Sequence, residues 1–170
     1  GLSTSQLVAL DTIVGLLNTT QFSALSSTQL SNITTTQVAA LTDDELGVLS
    51  TTQLRGLTGT QLNALNTSHF QLLNSTQIAA LNATQLGAVS TTHIAELTND
   101  QLSALTTTQI ITLNTSQIVA LGGAFDYLSA TQFQVLTSTQ LGALSITTEL
   151  PTLDATEISS LSTTQISGFT

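Results

Sequence analysis

Glu45, His69 and His93 are the residues of this sequence whose types and spacing could hold a metal ion. They stand 24 residues apart (45, 69, 93), each at the fourth position of an eight-residue repeat. If one turn of a coiled chain took three repeats, the carboxylate and the two imidazoles would line up along an edge, and all three are zinc-type ligands. The same position also has a structural use, because a helix start takes a polar side chain there. That use is the reading adopted, and no metal or cofactor is expected. Asp43, Asp44 and Glu45 form the one acidic cluster. Their oxygens suit calcium, but carboxylates in a first helical turn are also what the helix dipole favours.

Nothing else marks out catalytic machinery. Ser and Thr recur in every repeat, so none is singled out as a nucleophile, and no Gly-x-Ser-x-Gly elbow appears. There is no glycine-rich Gly-Lys-Thr phosphate loop. With no cysteine, thiolate metal sites and disulfides are excluded. The expectation is a protein that is not an enzyme.

Charge removes two further classes. The net charge is −9, and Arg55 is the only cationic side chain apart from two histidines. Nucleic-acid binding rests on Lys and Arg neutralising phosphates, and docking on an anionic membrane rests on the same residues. No apolar run approaches the roughly 18 residues of a membrane span, and no signal peptide is visible. Charged residues make up 6% of the chain, against about a quarter in ordinary domains, while apolar residues reach 41%. That is too apolar for a disordered tail. A surface without Cys or Met, and with almost no Lys or Arg for trypsin-like proteases, suits an extracellular or cell-surface location. Because Gly1 falls in mid-repeat, the chain is expected to be a processed product or a piece of something longer.

The repeat itself supplies the elements. From Asn18 to Leu121 an octad runs without a slip: a Ser, Thr or Asn head, then Gln, Glu or His three residues on, then an aliphatic residue or Phe, and Leu, Ile or Val at the close. Ser or Thr followed three residues later by Gln or Glu is the capping box of a helix start. The head side chain accepts from the backbone N–H of the fourth residue, whose own side chain reaches back to the head N–H. The expected caps include Thr42 with Glu45, and Gln53, Gln61, Gln77, Gln85, Gln101 and Gln109 with their heads. Leu41 and Leu46 would form a hydrophobic staple across such a box. Ile78 and Leu81, three apart, share a helix face. With Leu54 and Leu57 these residues define an expected apolar spine.

Helices of two turns are marginal in water, so octads must stack on one another, as in a solenoid. The expected fold is therefore all-α: a single solenoid over residues 1–170, one short capped helix per octad. A β-solenoid is the alternative, since Thr and Ile favour strands. Against it, the apolar positions do not alternate and no turn motif recurs in each copy. Three segments break the frame: 11–17 and 122–128 are each one residue short and lack the Gln, and 145–153 is one residue long and holds the only proline, Pro151. These are expected to be kinks or corners.

The unit in "STTQLRGL", "NSTQIAAL" and "TTTQIITL" resembles octapeptide arrays in very large secreted or surface proteins of Gram-negative bacteria, some of them RTX- or adhesin-like. "GGAFDYL" is similar to the glycine-aspartate calcium nonapeptide of RTX proteins, but it occurs once and lacks the third glycine. The resemblance implies spacer or fibre-forming regions and brings no catalytic residue. Function is therefore expected to be structural: a segment or subunit of a surface filament, stalk or layer that self-associates. Rows of Thr such as Thr51/Thr52 and Thr107/Thr108 leave open a solenoid that binds ice or a polysaccharide, and a monomeric adhesin spacer is the third reading. Six Asn-x-Ser/Thr sequons, at Asn18, Asn32, Asn66, Asn74, Asn82 and Asn114, allow a glycan as well.

Overall fold

Among the described residues, seventeen of the eighteen α-helices are started by a capping side chain; the two 3₁₀ helices are not. A computed structural model describes residues 2–144 and 155–169, and among them lie eighteen α-helices of four to six residues, two 3₁₀ helices and no strand. At Asn74 the backbone is extended (φ −72°, ψ 167°), its side chain accepts from the N–H of Gln77, and the Gln77 side chain accepts from the N–H of Asn74. The helix Ser75–Ala80 then runs until Leu81, where ψ turns to 132°. Leu81 donates its N–H to Ile78, a tightened last turn, and the head Asn82 follows in extended form (ψ 166°). Two successive extended residues redirect the chain before the next helix begins. Threonine and isoleucine do not make strands here because each head spends its side chain on a cap rather than on a pleated surface.

The described residues fall into two compact units, Gly1–Val89 and Ser90–Thr170. In the first, helix Ser27–Asn32 packs on Thr51–Gly56, which packs on Ser75–Ala80; Thr35–Ala39 packs on Gly59–Leu62, and that on Ala83–Ala88. Every third octad therefore stacks, and one turn of the coil takes three octads. The second unit follows the same rule: Thr91–Ala95 packs on Thr115–Ala120, and Asn99–Ala104 on the 3₁₀ helix Gly122–Tyr127. The core lies inside these coils. Leu41, Leu46, Leu54, Leu57, Ile78 and Leu81 are all buried, and Phe22, Phe70 and Phe133 take the same fifth position as Leu46. Both apolar positions of the octad thus point inward, which no isolated octad could achieve.

The first two frame breaks each pack on a neighbouring helix, Asp11–Leu16 on Thr35–Ala39 and Gly122–Tyr127 on Asn99–Ala104. Residues Asp11–Leu16 and Gly122–Tyr127 are 3₁₀ helices, each entered through a residue with positive φ, Asp11 (49°) and Gly122 (51°). A 3₁₀ helix rises further per residue than an α-helix, so seven residues span what eight span elsewhere. The segment 145–153, with Pro151, lies outside the described residues.

Stacked helices approach closely where the seventh octad position is small. A Cβ at Gly56 would run into the backbone of Ser27 in the turn below, whereas Gly47 and Gly87 face open space. Gly56→Ala is expected to destabilise the fold by about 1–3 kcal/mol through overpacking. Gly47→Ala and Gly87→Ala, in exposed helical positions, are expected to stabilise it by about 0.4–1 kcal/mol. Urea midpoints of the three variants check the contrast.

Candidate functional site: a buried column of amides

The fourth residue of the octad does more than cap. Gln77 accepts the N–H of Asn74 at Oε1 (2.7 Å) and donates from Nε2 to the carbonyls of Leu46 (3.0 Å) and Leu49 (2.9 Å). Those carbonyls lie 31 and 28 residues earlier, at the end of the octad that leads into the helix beneath. Gln85 donates in the same register to Leu54 and Leu57, Gln61 to Leu30 and Ile33, and Gln53 to Phe22 and Leu25. Each amide is therefore a bolt between turns, with its oxygen holding its own helix start and its nitrogen holding the turn below. These glutamines are almost wholly buried, Gln77 at 2% and Gln85 at 4% exposure. A buried amide left unpaired is costly, and here both ends are paired.

The register absorbs the breaks. Across the short segment 122–128, Gln132 donates to Leu102 and Leu105, and Gln140 to Ile110 and Leu113, at separations of 30 and 27. Across the long segment, Gln165 donates to Leu136 at a separation of 29. At Gln132 and Gln140 the offset shortens by the one residue lost; Gln37, across 11–17, donates to Leu7 and Asp11 at separations of 30 and 26, and Gln165 makes its second bond to Gln134 at 31.

Capping boxes close at every expected pair: Thr42 with Glu45, and Gln53, Gln61, Gln77, Gln85, Gln101 and Gln109 with their heads. Sequence reading missed the second bond of the amide, although a signal was present. A capping box accepts Glu or Gln, yet ten of the thirteen fourth positions from Gln21 to Gln117 are Gln and one is Glu. Unlike a carboxylate, an amide can accept at one end and donate two hydrogen bonds at the other.

The three metal candidates are the three exceptions to that rule. Glu45 accepts the N–H and the hydroxyl of Thr42 at Oε2 (2.8 and 3.0 Å), while its buried Oε1 has no partner. The expectation that His69 simply stands in for Gln in the cap is not met. Asn66 does accept from the N–H of His69, but the buried Nδ1 of His69 is unpartnered and Nε2 lies 3.4 Å from Asp43 Oδ1. An imidazole is too short and too rigid to return to the head N–H while facing the turn below. His93 is buried in the second unit, where a ring nitrogen pairs with the Ser90 hydroxyl at 2.7 Å. Glu45 and His69 do occupy matching places in successive turns, as three octads per turn requires. Among the described residues, however, no group of three or more His, Asp or Glu side chains is arranged to hold a metal. Asp43 and Asp44 are exposed on the first turn of their helix.

The Asn heads Asn18, Asn66, Asn74, Asn82 and Asn114 all use their side-chain oxygens as caps. Asn32 alone of the sequons is elsewhere, donating from Nδ2 to Thr28 O (2.8 Å) near the end of its helix. The exposed third positions form columns on stacked helices, Thr28 with Thr52 and Thr76, and Thr36 with Thr60 and Thr84. No family model, curated protein or solved structure matches the chain.

The double use of the amide has a measurable consequence. Gln77→Ala removes the cap acceptor and the amide donor to the carbonyls of Leu46 and Leu49, of which Leu46 keeps only the N–H of Leu49, an expected loss of about 2–4 kcal/mol. Gln21→Ala, at an exposed cap, is expected to cost only about 0.5–2 kcal/mol. His69→Gln supplies the missing acceptor and donor and is expected to stabilise by about 1–2 kcal/mol. Chemical denaturation of the three variants ranks them; equal losses for Gln77→Ala and Gln21→Ala would reduce the glutamine to a cap.

Proposed function

We propose that the chain is an extracellular structural repeat protein, a segment or subunit of a surface filament, stalk or layer. The observation that carries this reading is the amide column. Each turn offers amide N–H groups on one side and carbonyls on the other, so every turn is complementary to a copy of itself. Such a surface is heterologous and propagates head to tail without closing. Two further features support it. With ten acidic residues and a single Arg in the whole chain, contacts between copies would desolvate few ions. That Arg is already engaged, donating from Nε of Arg55 to Ala80 O at 2.8 Å within the first unit. The buried polar groups are spent on holding turns together, and no catalytic role is proposed for any of them. No helix among the described residues is long and apolar enough to cross a membrane.

A second reading has its own observation, the columns of exposed threonines on stacked helices. Hydroxyls repeated at the helix-packing distance, about 8–10 Å, would suit a repetitive target such as a polysaccharide or ice. A monomeric adhesin spacer would need neither self-assembly nor a ligand.

Negative-stain electron microscopy with sedimentation velocity separates these. Filaments of constant width, growing with protein concentration, are the expected outcome. Monodisperse short particles at all concentrations would reject assembly; glycan binding or thermal hysteresis by them would then select the ligand reading.

A further inference from the structure

We propose that the first unit binds one small hard cation between the buried carboxylate of Glu45 and the backbone carbonyls of Val14 and Leu17. The site is independent of whether copies of the chain assemble. Glu45 is 1% exposed, and its Oε1 has no hydrogen-bond partner. At this place in the octad, Gln53, Gln61, Gln77 and Gln85 put an amide nitrogen that donates to carbonyls 28 and 31 residues earlier. The same register from Glu45 arrives at Leu17 and Val14. The carboxylate lies against that segment: a Cβ placed on Gly15, between those two residues, would be 3.8 Å from Glu45 Oε2. The Val14 carbonyl already accepts the N–H of Leu17 at 3.1 Å, and the Leu17 carbonyl takes no donor among the hydrogen bonds of the described residues.

Where Gln37 and Gln53 in the adjoining octads direct an amide N–H at backbone carbonyls, this register directs a carboxylate oxygen at two carbonyls. A carboxylate oxygen and two carbonyl oxygens brought together repel one another, and a buried carboxylate without a counter-charge is strongly disfavoured. Among the described residues, no side chain supplies the positive charge. Arg55 donates to Ala80, and the Nε2 of His69 faces Asp43. An all-oxygen set of one carboxylate and two carbonyls is the donor set of hard cations such as sodium or calcium, with calcium–oxygen distances of about 2.3–2.6 Å. One buried carboxylate matches a single charge, and the exposed Asp43 and Asp44 beside it deepen the negative potential. The cation does electrostatically what the amide N–H does in the other octads: it joins the helix start at Thr42 to the turn below.

The test is thermal unfolding of the 170-residue chain in choline chloride, sodium chloride and calcium chloride at equal ionic strength. The midpoint is expected to rise by about 2–4 °C in sodium or calcium over choline, and whichever ion acts identifies the charge. Glu45→Gln restores the amide, so it is expected to fold and to melt at one temperature in all three salts. Asp44→Asn, which alters only an exposed carboxylate, is expected to keep the response. Equal midpoints for the unaltered chain in all three salts would overturn the proposal, as would a response that survives in Glu45→Gln or disappears in Asp44→Asn.

Discussion

A primary amide can accept a hydrogen bond at one end while donating two at the other, and the structure of this chain depends on that property. The helices are four to six residues long, too short to persist by backbone hydrogen bonding alone. Leucine and isoleucine packing gives them an inside but does not specify which octad sits on which, since the apolar residues of one octad are nearly interchangeable with those of another. The glutamine supplies that specification. Its oxygen can meet the head N–H only if its own helix has started, and its nitrogen can meet two carbonyls only if the turn below is in register. Local and long-range structure are thereby closed by the same side chain, which makes the fold cooperative across turns.

This constraint explains what the chain tolerates and what it does not. A deletion of one residue between bolts is accepted, because a 3₁₀ segment entered through Asp11 or Gly122 can cover the same path. Changes at the bolt are felt at once. Glu45 keeps the acceptor end and loses the donor end, leaving Oε1 unpartnered; His69 keeps neither and turns Nε2 toward Asp43. Glycine is required at Gly56, where the turns touch, and is indifferent at Gly47, where a side chain would meet nothing.

The same economy shapes the functional reading. Polar groups that an enzyme would gather into one cleft are here distributed evenly and spent on connecting turns. What is left outside is a surface of hydroxyls and amides with little charge, repeated at the period of the coil. In the proposed reading, such a molecule acts through its regularity, either toward copies of itself or toward a regular target. The proposed ion at Glu45 belongs to the same scheme, since it restores a connection that one carboxylate in the amide column interrupts.

The sequence by itself determined the helix starts, their length and the buried positions. The capping box is a contact among residues three apart, and Leu41, Leu46, Ile78 and Leu81 fall inside because no other face of a two-turn helix is apolar. It also determined that the frame breaks at 11–17 and 122–128 would be exceptional. Their 3₁₀ form, the three octads per turn, and the partners of Gln77 at Leu46 and Leu49 were decided by tertiary structure. A side-chain bond across 28 or 31 residues leaves no trace in the spacing of any single octad. Its one visible mark was the preference for Gln over Glu, an excess of donor capacity that a cap alone does not require. The orphaned oxygen of Glu45 was likewise decided in three dimensions, because a glutamate is as good a cap as a glutamine until the turn below presents its carbonyls.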